Sequence, residues 1–367
     1  AKKEKKNAAV NLLDAKRQQN IGIALAQFKC EQEVIRMAIL KMDTDMLNTD
    51  KLMALQMMLP TADEEKTLQA YIKKNKGDLS QLGPMERVAI MLASLPMVND
   101  WLSAMLFREE FKVRQEDISN KLDVALVCAA AVRTSEALKE LFALVLTIGN
   151  FINEGHMLGN AMAFTFASTS LLVGNKLSNK RGTLIHFIVE ALERKGSTAL
   201  SDLEDLNVLV KRVSAFSLDF LVVEVTEVST ACHGAQATLS SLGKDQDALS
   251  ADDAAHVAVF INDMGTFLHL AAEEVKQLGD SQVQLQQYHS SLAAYFVEEP
   301  SKFDPGEFYC QLSSFINELL KANKDLKSDT TLLVVPKDHS YHSPEGTGSV
   351  LSPQPGDEAA VQQMWIP

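Results

Sequence analysis

The residues able to do chemistry in this 367-residue chain are scattered rather than grouped. Gly174-Asn175-Lys176 could suggest a nucleotide site, because glycine lets backbone amides close on phosphate. Yet no strand precedes it, Asn175-Lys176-Leu177-Ser178 lacks the aspartate that guanine reading needs, and no G-x-x-x-x-G-K-[ST] loop occurs. The eight histidines (His156, His186, His233, His256, His269, His289, His339 and His342) form no H-E-x-x-H pair and no Cys/His ligand set. His186 sits among Leu184, Ile185, Phe187 and Ile188, the setting of a buried, hydrogen-bonded histidine rather than a ligand. Glu64-Glu65 and Asp252-Asp253 stand at helix starts, where carboxylates suit the dipole. Cys30, Cys128, Cys232 and Cys310 are far apart and read as reduced, partly buried, small apolar residues of a cytosolic protein. No catalytic residue, metal or cofactor is expected, and the chain reads as a non-enzyme.

The elements that would position any functional residue centre on Gly149 to Lys195. This stretch holds five glycines between Gly149 and Gly182, after a strongly helical run, and returns to a helix at Thr183. Glycine loses the most conformational freedom on folding, so its repeated use between helices signals special backbone geometry. Elsewhere the apolar residues are mostly Leu, Ala, Val and Met, a mix that favours long helices, and the fold class is all-α. A net charge of −13 argues against a nucleic-acid partner. Basic islands near the N-terminus and from Lys176 to Lys195 could meet an acidic protein or could be solvated helix faces. No apolar run of membrane-spanning length occurs, so no membrane insertion is expected.

Taken in order, residues 1–11 read as a linker remnant and a helix begins near Asp14, with Ile21, Leu25 and Phe28 on one side. Glu31–Leu40 forms the next, with Val34, Met37 and Ala38 inward, and Thr49–Leu59 a short one ended by Pro60. Thr61 and Glu64 fit a capping box, Gly83-Pro84 opens another helix, and Pro96 breaks it. From Asn99 the helices lengthen. Val124–Val132 reads as buried on most sides, and Glu136–Ile148 ends at Gly149-Asn150. A second capping box, Ser201 to Glu204, opens a helix expected to run to Leu242. A Gly/Asp/Ser loop then leads to a partner of similar length, Ala251–Phe296, as an antiparallel pair. A last helix spans Gly306–Leu326, and 327–367 reads as a disordered tail.

The central stretch resembles the signature of the formin homology 2 domain. The pattern G-N-aromatic-apolar-N-x-G reads Gly149-Asn150-Phe151-Ile152-Asn153-Glu154-Gly155. An apolar segment with Phe164 and Phe166 follows, then Lys176, then Thr183-Leu184-Ile185-His186-Phe187-Ile188. Upstream, Leu12–Leu25 resembles the family's L-D-x-K/R-x-x-N segment, and downstream Tyr295–Tyr309 resembles a tyrosine-phenylalanine segment, so the resemblance covers about Leu12 to Leu326. It implies an elongated helical architecture of knob (about 12–100), three-helix bundle and post (about 101–326). It also implies an actin-binding domain that nucleates filaments and stays with the barbed end as they elongate.

The resemblance puts the actin contacts on Ile23 and Lys176, with Lys16 and Arg17 at a less distinctive basic position. Read from the residues alone, Ile23 lies off the Ile21/Leu25/Phe28 face and is either outward or core. Arg17 either meets actin or supports its helix. The resemblance also implies a post that receives a partner's tryptophan-bearing lasso, here Gly149, Asn150, Phe151, Asn153, Gly155 and Phe164. Trp101 and Trp365 do not match a lasso, so a homodimer is expected in the full-length protein, with this fragment a possible monomer. Profilin-actin would be met through a proline-rich segment outside the chain, and the setting would be the cytoplasmic cytoskeleton. Gly174-Asn175 replaces the family's aspartate-threonine, and Ala163 replaces a glycine, which bears on the shape of the Lys176 loop. The tail lacks an M-D-x-L-L motif, a feature that resembles the delphilin type. The alternative reading is a scaffold with the formin fold but weak or lost actin assembly.

Overall fold

The computed structural model describes residues 10–95, 97–156, 159–177, 181–242, 251–329, 331–333 and 365–366. Thirteen α-helices account for nearly all regular structure among them: α1 (Ala15–Leu25), α2 (Gln32–Leu40), α3 (Thr49–Met58), α4 (Ala62–Lys74), α5 (Pro84–Ala93), α6 (Val98–Thr134), α7 (Glu136–Ile152), α8 (Thr169–Gly174), α9 (Leu184–Arg194), α10 (Ala199–Val213), α11 (Leu218–Leu242), α12 (Ala251–Tyr295) and α13 (Pro305–Ser328). Two dipeptide strands, β1 (Ala163–Phe164) and β2 (Trp365–Ile366), pair antiparallel. The all-α expectation holds. Most of residues 1–11, Pro96, the 243–250 connection and most of 327–367 lie outside the described residues.

The chain forms two compact units interleaved in sequence, Ala1–Ile118 with Glu224–Leu278, and Ser119–Val223 with Gly279–Pro367. In the first, α1 packs on α3 and α5, and α5 also takes α2 and α4. Ile21, Ile35, Ile39, Leu52, Leu55 and Met58 are buried there. The capping box at α4 forms as read: Glu64 N–H donates to Thr61 Oγ1 at 3.3 Å and Thr61 N–H to Glu64 Oε2 at 2.8 Å. Trp101 of α6 meets Phe260 of α12 at 4.5 Å between ring centres, and Phe107 and Phe111 both meet Phe267.

In the second unit α13 packs along α10 and α9, and α7 packs on α10. Its core is a cluster of phenylalanine rings: Phe166 lies 4.9 Å from Phe308 and 5.2 Å from Phe296, and Phe142 lies 5.6 Å from Phe296. Rings of this size dominate core burial, and the edge-on pairs that Phe296 makes with Phe142 and Phe166 suit their quadrupoles.

Several local expectations are corrected. The second capping box does not form: α10 starts at Ala199, which puts Ser201 inside the helix. The long 201–242 helix is broken at Ser214–Ser217 into α10 and α11, with Ser217 Oγ accepting from Phe220 N–H at 3.1 Å. Phe220, in the first turn of α11, is exposed. Helix α7 runs through Gly149-Asn150 to Ile152. Val34 points outward because Ile35, Ala38 and Ile39 make the inner face of α2, and Val127 is likewise exposed on α6. Cys30 and Cys310 are exposed rather than partly buried.

Candidate functional site

The first candidate surface is the outer face of α1. Asp14 caps this helix by accepting from Arg17 N–H at 2.8 Å. Ile21 and Ala24 turn into the core, which leaves Lys16, Gln19, Asn20 and Ile23 on the solvent side. The i, i+3, i+4, i+7 spacing places these four on one stripe. Ile23 is 63% exposed, which removes the core alternative. Lys16 is exposed one stripe-length away, about 10 Å along the axis at 1.5 Å per residue.

Arg17 does something different. Its guanidinium donates to Met57 O at 2.7 Å and to Leu59 O at 2.5 Å, and pairs with Glu64 at 3.1 Å. The planar fork thus ties α1 to the last turn of α3 and the first turn of α4. Only a fifth of the side chain is exposed. A second brace is Glu86, buried on α5, which accepts from Leu12 N–H at 3.3 Å and Gln18 Nε2 at 2.9 Å. Met53 and Met57, which the sequence reading did not single out, are exposed on α3. Their i, i+4 spacing, off the Leu52/Leu55 face, was the signal for this.

The second candidate surface is the loop between α8 and α9. Lys176 forms an antiparallel bridge with Thr183, and Leu177 N–H donates to Gly182 O at 2.9 Å. Leu184 N–H donates to Asn175 O at 2.9 Å. Lys176 is exposed and makes no ion pair among the described residues. His186 is hydrogen-bonded as read, and half-buried: its Nδ1 meets Thr183 Oγ1 at 2.8 Å and accepts from Thr183 N–H at 3.2 Å, closing a capping box on α9. Nε2 faces Asp325 at 3.7 Å.

The third is the turn that follows α7. Asn150 closes it, with Nδ2 donating to Ala161 O at 2.9 Å and Oδ1 accepting from Ala161 N–H at 2.8 Å. Gly155 has φ +83°, a left-handed conformation that disfavours any side chain. A Cβ at Gly159 would stand 2.6 Å from Asn153 O, so only glycine fits there. Gly149 and Asn153 are buried, and Asn153 Nδ2 has no hydrogen-bond partner among the described residues. Phe164 packs edge-on against Phe142 at 5.7 Å, and its backbone pairs with Trp365. Of the six residues assigned to partner reception, Phe151 alone is a large open apolar side chain, at 53% exposure.

Among the described residues no cluster of three or more His, Cys, Asp or Glu could hold a metal, and no single helix is long and apolar enough to cross a membrane. Helices with capped ends and a glycine-closed turn make up the described scaffold; Ile23 is exposed on the first unit and Lys176 on the second. The chain belongs to the Formin Homology 2 Domain family, whose match spans residues 1–320. It is 26% identical over 323 residues to "Protein diaphanous" of Drosophila melanogaster, covering 88% of this chain and 28% of that protein. It is 26% identical over 322 residues to "Formin-A" of Dictyostelium discoideum, covering 88% and 26%. It is 28% identical over 318 residues to "Formin-like protein 20" of Arabidopsis thaliana, covering 86% and 18%. The chain therefore spans less than a third of the length of these relatives.

Proposed function

We propose that this chain is an actin-binding assembly domain. It nucleates filaments and remains at the barbed end while subunits add, by contacts rather than by catalysis. Family membership supports the class of activity. The single observation that carries the reading to residues is the exposure of both Ile23 and Lys176, at the positions where the family resemblance puts an apolar and a cationic actin contact. An exposed isoleucine can fill an apolar cleft on a partner, and a solvated ammonium can meet an acidic surface with little desolvation cost. Lys16 shares the Ile23 stripe and adds to that contact. Arg17 holds the stripe in place through α3 and α4.

The active form in the full-length protein is a homodimer, with profilin-actin delivered through a proline-rich segment outside this chain. The working location is the cytoplasmic cytoskeleton. A second reading, a scaffold with weak actin assembly, is favoured by two observations. Gly174-Asn175 leads into the lysine loop in place of aspartate-threonine, and the Phe164 edge is already paired with Trp365.

Pyrene-actin assembly with the chain dimerised by a leucine-zipper fusion separates the two. Faster nucleation that is lost in Lys176→Asp supports the assembly reading. A dimerised wild-type chain that leaves nucleation and barbed-end growth unchanged supports the scaffold.

A further inference from the structure

We infer that the segment following α13, Asp329 with Thr331–Leu333, is a strap that holds the Lys176 loop in shape, so that the actin-contacting unit extends past the last helix. The inference rests on the reading of Lys176 given above. Among the described residues the two sides of the loop meet at the Lys176–Thr183 bridge and the backbone hydrogen bonds on either side of it. A ladder this short is marginal in water unless something packs on it.

The end of α13 and the residues after it supply that packing. Lys327 Nζ lies 3.7 Å from Glu193, and Asp325 faces His186 at the start of α9. Arg181 Nη2 donates to Asp329 Oδ2 at 3.0 Å. The chain then turns over Gly182, where an added Cβ would stand 3.2 Å from Leu332 O and 3.3 Å from Leu333 Cδ2. Leu332 and Leu333 are half-buried. The turn is itself braced: Asp329 Oδ1 accepts from Thr331 N–H at 2.9 Å and from its hydroxyl at 2.6 Å. Those two bonds, with Arg181 as a smaller contributor, hold the Asp329 carboxyl below its ordinary range. Exposed ion pairs contribute little, so the hold comes mainly from the leucines and the close approach at Gly182, while Arg181 fixes the register. The positioning residues are therefore Gly182, Asp329, Leu332 and Leu333.

The test compares the full chain with chains ending at Leu333 and at Ser328, by amide hydrogen exchange and by barbed-end growth on actin seeds. The Leu333-ending chain should match the full chain at the Leu177 and Leu184 amides and in barbed-end growth. The Ser328-ending chain should exchange the Leu177 and Leu184 amides at least about tenfold faster, with α7 and α10 unchanged. It should also lose barbed-end affinity by the same factor as Lys176→Asp. Gly182→Ala should speed the same amides in the full chain and have a much smaller effect in the Ser328-ending chain, where the backbone neighbour Leu332 O is gone and only the flexible end of Leu177, 3.3 Å from the added Cβ, remains. Equal exchange in the two shortened chains overturns the strap whatever the actin result. Faster exchange with barbed-end growth insensitive to Lys176→Asp overturns the actin reading instead, and the strap's functional part with it.

Discussion

Arg17→Ala separates a side chain that touches the partner from one that positions the contact. The guanidinium spends two charge-assisted hydrogen bonds on Met57 O and Leu59 O and one on Glu64. Hydrogen bonds to charged groups contribute about 1.5–3 kcal/mol each. The carbonyls at the end of α3 are partly wet, which holds each to the lower end of that range. The Glu64 pair adds about 0–1 kcal/mol. The expected loss is about 3 kcal/mol, which for a unit of this size lowers the melting temperature by roughly 6–12 °C. Melting is followed by the fluorescence of buried Trp101 in a Trp365→Phe background. Arg17→Lys keeps the charge but not the fork and should recover less than half of the loss. The reasoning is refuted if Arg17→Ala melts within about 1 °C of wild type while barbed-end affinity collapses, because the charge would then act on the partner directly.

Three further outcomes follow from the same geometry. Burial lowers the His289 pKa from 6.5 to about 4, beside the Tyr309 hydroxyl at 3.3 Å. Its folded pKa lies below the unfolded one, so its contribution is complete above pH 6.5 and is lost as pH falls toward 4. That loss is up to about 3 kcal/mol, and His289→Gln should flatten the acid limb of a urea-stability profile. Maleimide at neutral pH should label Cys30 and Cys310 in the native chain and spare Cys232 and Cys128, whose thiol is pushed up to about 12 by burial; mass spectrometry of labelled peptides reads this directly. Deleting Trp365–Pro367 should speed amide exchange at Ala163 and Phe164, which pair with Ile366 and Trp365, while the Asn150–Ala161 clasp stays protected.

Helix positions were legible in the sequence where local signals were strong. The Thr61/Glu64 box and Pro84 at the start of α5 set real helix ends, because caps act within one turn. The Ser201/Glu204 pattern failed because Ala199 and Leu200 are buried and draw the N-cap from Ser201 back to Thr198, three residues earlier, a tertiary preference that no local motif carries. Periodicity put Ile23 off the core face but could not say whether another element covered it; the packing of α1 on α3 and α5 decided that. The two roles left open for Arg17 could not be separated from sequence either, since its partners are 40 to 47 residues away. The close approach at Gly182 was hidden for the same reason: Leu332 and Leu333 come from the far end of the chain.

The central claim is that Ile23 and Lys176 are two separate contacts for actin, both on open surface. Single-filament imaging of barbed-end growth, with the dimerised chain carrying Ile23→Asp or Lys176→Asp, tests it most directly. Each substitution should abolish the effect on growth while leaving the melting temperature within about 2 °C of the parent, since surface changes usually cost under about 0.5 kcal/mol. Filaments that grow in the presence of both variants as they do with the parent would contradict it.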